Sequence, residues 1–364
     1  MKIAVYSQLP NGGAKIATAA ILSELDKKHQ ITKFTLPKGN ASNQPLQRIK
    51  QDANSLIKTR KQSKLVAQEI DSQSFDVCLV THDSHFQAPW VLRFLKTPTV
   101  FLCQEPTRAF FEQFLEIDTS WPLLNQIYER TIRSVKKKVE INNAQKADQI
   151  ISNSVFGAES ILRAYGVPAI PAHLGVDLKT FYPSDKKRAN QVFVVGNAEP
   201  QKGLPFAIKV LGKIPKKLRP KLVIAGPRPS DYSYLEKLAS KNDVNIQTFS
   251  SLDQEQMRLQ YQISKLTLGT AYLEPFGLSA VESMACATPV VAVNEGGFKE
   301  TVVHNQTGLL LPRDAQMFAK KLQGLLEDQD KLTKLASQSP QQAQKFTWDK
   351  TSKIINNVLE HAAS

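Results

Sequence analysis

The sequence predicts an α/β protein built from two doubly wound parallel sheets, one in each half of the chain. Three observations carry this. The 364 residues, 41% of them hydrophobic, suffice for two domains at roughly 100 to 200 residues each, with a sizeable core in both. Short apolar runs recur along the chain, each separated from the next by enough residues for a helix, as parallel pairing requires. Between the halves, the stretch from Phe181 to Arg188 gathers a proline and a cluster of charges, which suits an exposed linker.

The first half opens with an apolar run, Lys2 to Tyr6. Pro10-Asn11-Gly12-Gly13-Ala14 follows, then a helical segment with Ile16, Ala20, Ile21, Leu22 and Leu25, so the order is strand, glycine turn, helix. Further strands are expected at Asp76–Val80, Thr99–Cys103 and Gln149–Ser152. The stretch from about Ala41 to Asp71 is polar and compatible with helix, without an assigned place. The second half repeats the pattern with six runs, at Gln191–Val195, Lys221–Ala225, Val244–Thr248, Lys265–Leu268, Pro289–Val293 and Gly308–Leu311. We expect domains at 1–180 and 185–345, with a C-terminal helix near 347–364 packing back on the first. Ligands of open parallel sheets sit outside the carboxyl ends of the strands, so two facing sheets imply a central cleft.

Composition narrows the classes. Cys78, Cys103 and Cys286 are far apart, with no paired framework or metal-ligand spacing, which points to a reducing compartment. The N-terminal apolar run is too short for a signal peptide, and no run approaches the ~18 apolar residues of a membrane span. A cytoplasmic protein is expected, with a peripheral position on the inner face of a membrane as an option. The net charge of +14, divided evenly between the halves, favours anionic partners. Its densest runs, Lys58-Thr59-Arg60-Lys61 and Arg133-Ser134-Val135-Lys136-Lys137-Lys138, have helical spacing and read as solvated faces or as contacts for anionic lipid headgroups. Aromatic and basic residues are not interleaved, so no nucleic acid partner is expected. The glycine-rich dinucleotide fingerprint, the P-loop and the G-x-S-x-G nucleophile turn are all missing from the sequence.

The richest stretch is Glu274-Pro275-Phe276-Gly277-Leu278-Ser279-Ala280-Val281-Glu282. Pro275 and Gly277 suit a loop, and Ala280 to Ala285 propagate a helix that begins around Phe276. The amides of Gly277 and Leu278 then stand unpaired at the positive end of that helix, where anions bind. Carboxylates repel phosphate but accept strongly from hydroxyls, so Glu274 and Glu282 on either side of a phosphate suit a sugar nucleotide. The spacing alone also fits two glutamates on a capped, solvent-facing helix.

Upstream stands Gly196-Asn197-Ala198-Glu199-Pro200-Gln201-Lys202-Gly203, and downstream stand Glu295-Gly296-Gly297-Phe298-Lys299-Glu300 and Asn305-Gln306-Thr307-Gly308. In this order and spacing, residues 195–312 resemble the nucleotide-sugar half of the GT-B glycosyltransferases, in particular retaining family four, glycosyl transferases group 1. The resemblance extends through Gly12-Gly13, Ile151-Ser152-Asn153-Ser154, His173-Leu174-Gly175-Val176-Asp177 and Phe346-Thr347-Trp348. It implies two Rossmann-like domains. It also implies that Glu282 binds the donor ribose, that Glu274 faces the transferred hexose and that Lys202 stabilises the diphosphate, joined there by backbone donors of Gly277 and Leu278, with Phe276 among the donor-binding residues. Gly13 would approach the reacting phosphate, and Arg228 would contact the base or ribose.

Two departures stand out. Asn197 replaces the arginine that the family usually places in this turn, removing one cationic contact to the diphosphate; Arg228 or Arg108 would have to substitute. In Cys103-Gln104-Glu105-Pro106-Thr107-Arg108, Gln104 replaces a histidine beside the transferred sugar; with Lys202 and Glu274 it is a catalytic candidate that could still hydrogen-bond a sugar hydroxyl, but it cannot exchange a proton near neutral pH. Among other candidates, His82 and His85 lack a third metal ligand, His173 suits a hinge, and His304 reads as an exposed helix residue. No metal or other cofactor is expected.

The resemblance implies retaining transfer of a hexose from a nucleoside diphosphate sugar to a glycan or lipid-linked acceptor. Mannose from a GDP sugar stands ahead of glucose or N-acetylglucosamine from a UDP sugar. A nucleotide-sugar epimerase of the same fold and a catalytically silent binding protein remain as alternatives.

Overall fold

The computed structural model describes residues 1–9, 12–36, 51–54, 56–112 and 122–364. The expected segment 41–71 therefore lies partly outside the described residues, as do Pro10 and Asn11. The chain divides into two compact units, Met1–His173 with Asp349–Ser364, and Leu174–Trp348. The division falls at His173, a few residues before the expected boundary at 180.

The first unit holds a six-stranded parallel sheet: β1 (Lys2–Tyr6), β2 (Gln30–Phe34), β3 (Val77–Val80), β4 (Thr99–Leu102), β5 (Gln149–Ser152) and β6 (Ile170–Pro171), in the order β2-β1-β3-β4-β5-β6. All residues of β3 and β4 are buried, as expected of strands covered on both faces. Strands β2 and β6 were not anticipated. β2 reads Gln-Ile-Thr-Lys-Phe at the edge of the sheet with only Phe34 buried, so its apolar signal is diluted, and β6 has two exposed residues.

The helix Lys58–Asp71 carries the first basic run, and the helix Leu123–Ala144 the second. The C-terminal helix Trp348–Ala363 is amphipathic, burying Ile355, Val358 and Leu359. From Asp349 onward it belongs to the first unit, where Thr351 Oγ1 donates to the His173 carbonyl oxygen at 2.6 Å and Asn356 Oδ1 lies 2.6 Å from His29 Nε2.

The second unit holds β7 (Gln191–Val195), β8 (Lys221–Ala225), β9 (Ile246–Phe249), β10 (Leu266–Gly269), β11 (Val290–Val293) and β12 (Gly308–Leu311), all parallel, in the order β12-β11-β10-β7-β8-β9. The chain winds outward from β7 to β9, returns beside β7 as β10 and winds outward the other way. That reversal leaves a crevice at the carboxyl ends of β7 and β10, the place where doubly wound sheets bind their ligands. His304 lies after the short helix Phe298–Thr301, bridging to Gly308, with its Nδ1 accepting from Leu310 N at 3.0 Å. It is exposed but not helical, which corrects the expectation: its ring closes a turn into β12. No helix among the described residues is long and apolar enough to cross a membrane.

Candidate active site

The loops after β7 and β10, paired neighbours in the sheet, bring most of the expected residues of the second unit together. After β7, a short turn at Pro200–Lys202 ends in Gly203, whose left-handed φ of 66° a side chain rarely adopts. A Cβ there would stand 2.0 Å from the Thr270 carbonyl oxygen, so only glycine lets the two loops press together. Tyr272 N donates to the Gln201 carbonyl oxygen at 2.8 Å across the same seam. The result is a Lys202 ammonium 3.1 Å from Glu274 Oε2, with both side chains partly exposed.

The helix Leu278–Ala285 starts two residues after Phe276, with Gly277 as its N-cap at φ 89° and no side-chain cap. Its first amides thus lack the usual Ser, Thr or Asp partner and remain available to an anion. Phe276 meets the rest of the fold through its side chain. Its ring is 2% exposed and packs edge-on against Phe346 at 5.6 Å, so the side chain is a core group that anchors the loop.

One turn further into the helix, Glu282 accepts from Tyr261 Oη at 2.8 Å. Burial raises its carboxyl to about 7, against the smaller opposing effect of that hydrogen bond. Tyr261 is itself fully buried between Phe181 and Phe193 and could not be assigned from sequence, being 21 residues upstream. Asn197 Oδ1 accepts from Glu199 N at 3.2 Å and so braces its own turn. Arg228 is exposed, its Nη2 3.4 Å from Glu199 Oε1, in a loose surface pair of the kind worth little.

In the first unit, Gly13 begins the helix Gly13–Leu25, and a Cβ added to it would meet no atom of the described residues within 4 Å. Gln104 is 9% exposed and donates through Nε2 to the Ala14 carbonyl oxygen at 3.1 Å, so its carboxamide ties the β4 loop to the start of that helix. Arg108 Nε lies 3.9 Å from Glu105 Oε2. Behind this loop the sequence reading missed Glu140. Its Oε1 accepts from Thr107 Oγ1 at 2.6 Å and from Gln87 N at 2.8 Å, its Oε2 accepts from Tyr165 Oη at 3.2 Å, and burial raises the carboxyl to about 7. Asp83 closes the turn after β3 by accepting from the amides of His85 and Phe86, while burial lowers His82 to about 4. Among the described residues no group of three or more His, Cys, Asp or Glu side chains is arranged to hold a metal ion.

Two six-stranded doubly wound units, the second with its loops gathered at the sheet's switch point, define the GT-B fold. Solved structures agree. Sucrose-phosphate synthase from Thermosynechococcus elongatus superposes with a TM-score of 0.79 at 19% identity, covering 100% of both chains. Anabaena HepE in complex with UDP and glucose gives 0.75 at 18% identity, covering 99% of this chain and 100% of HepE.

Residues 179–342 match the family model of glycosyl transferases group 1. Among characterised relatives, D-inositol 3-phosphate glycosyltransferase of Rhodococcus jostii (strain RHA1) is 29% identical over 254 residues, which are 64% of this chain and 54% of the relative. D-inositol 3-phosphate glycosyltransferase 2 of Catenulispora acidiphila is 30% identical over 244 residues, 59% of this chain and 56% of the relative. The chain spans just over half the length of these relatives.

Proposed function

We propose that the protein transfers a hexose from a nucleoside diphosphate sugar to an acceptor hydroxyl with retention at the anomeric carbon. The observation that carries this is the Lys202–Glu274 pair at the switch point of the second sheet, one loop from an uncapped helix N-terminus. Lys202 and the first helix amides would take the diphosphate, Glu274 the hexose hydroxyls and Glu282 the ribose. Arg228, released from its weak pair with Glu199, would replace the charge missing at Asn197.

In the transfer, the bond from the anomeric carbon to the diphosphate oxygen breaks, and the acceptor oxygen bonds to the same face of that carbon. The acceptor proton passes to the departing diphosphate. The enzyme's work is then charge stabilisation and positioning, with no metal required. The complexes of HepE with UDP and with UDP-glucose support a uridine donor. The Cys103 to Arg108 segment favours guanosine and mannose, and the names of the relatives support a small phosphorylated polyol among the acceptors.

A thermal-shift panel of UDP, GDP, ADP and their hexose conjugates tests this directly. One base should stabilise the protein, and its hexose conjugate should do so more than the bare diphosphate. No shift with any of them would overturn the proposal. A catalytically silent binder is favoured by the inward-turned carboxamides of Asn197 and Gln104. It would show the same shifts without turnover for any acceptor.

A membrane-bound acceptor is supported by the helix Leu123–Ala144, where Leu123, Leu124 and Ile127 are exposed alongside Arg130 and Lys138. Vesicles with a third anionic lipid should co-sediment the protein several-fold better than neutral ones. Equal recovery would exclude this surface.

A further inference from the structure

The loop that carries Glu274 owes its shape to a residue outside every motif named so far. Arg313, just past β12, reaches across the carboxyl edge of the second sheet. Its Nε donates to Glu295 Oε1 at 2.8 Å and its Nη2 to Glu295 Oε2 at 2.7 Å, a bidentate pair. The same guanidinium donates from Nη1 to the Thr270 carbonyl oxygen and from Nη2 to the Ala271 carbonyl oxygen, each at 2.9 Å. Its plane lies over Tyr272, 3.6 Å from the ring centroid, with Phe206 at 5.3 Å.

One side chain therefore joins the exits of β10, β11 and β12. The residues it grips are also the ones that seat Lys202. Thr270 receives Gly203 at its carbonyl and Tyr272 donates to Gln201, so the turn bearing Lys202 rests on the backbone that Arg313 holds. On the other side, Glu295 Oε2 lies 3.5 Å from Leu273 N, and the Glu274 carbonyl oxygen accepts from Gly297 N at 2.7 Å. Leu273 itself has a φ of 44°, unusual for a residue with a branched side chain, so the loop needs external support to keep its course.

We infer that Arg313, held by Glu295, is the positioning residue that fixes Glu274 against Lys202 and thereby sets how well the site recognises the hexose, as distinct from the nucleotide. This rests on the donor reading given above. A lysine at 313 keeps the charge but has no planar fork to span two carboxylate oxygens and two carbonyls, nor a flat face for Tyr272.

The test compares wild type with Arg313→Lys, Arg313→Met and Glu295→Gln. The probes are the nucleoside diphosphate that stabilises the wild type and its hexose conjugate, with hydrogen exchange of the 270–277 amides read in the free protein. We expect exchange there to quicken by at least tenfold in all three variants. Affinity for the diphosphate, which the amides of the helix Leu278–Ala285 and Glu282 would also hold from outside the stretch Arg313 grips, should fall by no more than about threefold, and the extra affinity conferred by the hexose should fall by tenfold or more. Unchanged exchange in Arg313→Lys overturns the inference. So does an equal loss of affinity for both ligands, which is what general destabilisation would produce. If the wild type binds no nucleotide, the donor reading fails and the recognition role falls with it, while the exchange difference separately records whether Arg313 holds the loop.

Discussion

Replacing Lys202 by methionine should lower turnover with the preferred nucleotide sugar by a factor of about 10² to 10³, while the bare diphosphate still stabilises the protein measurably. The magnitude follows from what the ammonium does. As the bond to the anomeric carbon breaks, negative charge grows on the diphosphate, and a preorganised cation is worth more to that state than to the bound donor. Removing one such group costs about 3 to 4 kcal/mol in other enzymes.

Methionine preserves the packing of the aliphatic stem and leaves Glu274 without its ion partner. The companion Glu274→Gln variant separates the two effects. If Lys202 serves chiefly to hold Glu274, both variants should behave alike in a double-mutant cycle, with no further loss in the pair. If Lys202 acts on the leaving group, its replacement should cost more than that of Glu274 and should do so with poor and good acceptors alike. Single-turnover transfer, which isolates the chemical step, is the measurement. A loss below tenfold would remove Lys202 from the reaction.

Most strands of the second unit were legible because they are buried on both faces, as in Val290-Val291-Ala292-Val293, where no polar residue interrupts the run; β9, at the edge, has no buried residue. β2 escaped notice for the opposite reason: at the edge of its sheet, Thr32 and Lys33 face partly outward and break the pattern. The candidate site divides in the same way. Glu274, Gly277 and Glu282 share one loop and one helix, so local chain geometry suffices to group them. The groups that tune them come from elsewhere in the sheet. Tyr261 reaches Glu282 from the preceding helix, Gln254–Ile263, and Arg313 reaches Glu295 from the exit of another strand. Such pairs depend on strand order, which a single sequence does not reveal. The packing of the Phe276 ring against Phe346, 70 residues further on, was hidden from the sequence for the same reason.

Glu282→Gln should make the free protein more stable at pH 8, leave it nearly unchanged at pH 4 and remove nearly all stabilisation by nucleotide. The sign follows from the raised carboxyl. Its folded value of about 7 exceeds the ordinary 4.5, so the folded state holds the proton more tightly than the unfolded state does. The resulting stability is fully present below pH 4.5 and is lost as pH rises through 7. At pH 8 the wild type therefore carries the full cost of a charged, buried carboxylate, on the order of 3 kcal/mol. Glutamine keeps the acceptor for Tyr261 and avoids that cost, so its melting curve should be nearly flat in pH where the wild type falls.

Nucleotide should reverse the ranking. On the proposed reading the ribose hydroxyls donate to the carboxylate, so wild-type affinity should rise as Glu282 ionises, by close to tenfold per pH unit below 7, and level off above it. Glutamine presents one neutral acceptor, and its weak binding should not follow this curve. The two melting series, taken with and without nucleotide from pH 4 to 8, should therefore cross, with the variant the more stable when free and the wild type when bound. Parallel series would show that Glu282 does not touch the ligand, and its burial would then be a matter of packing alone.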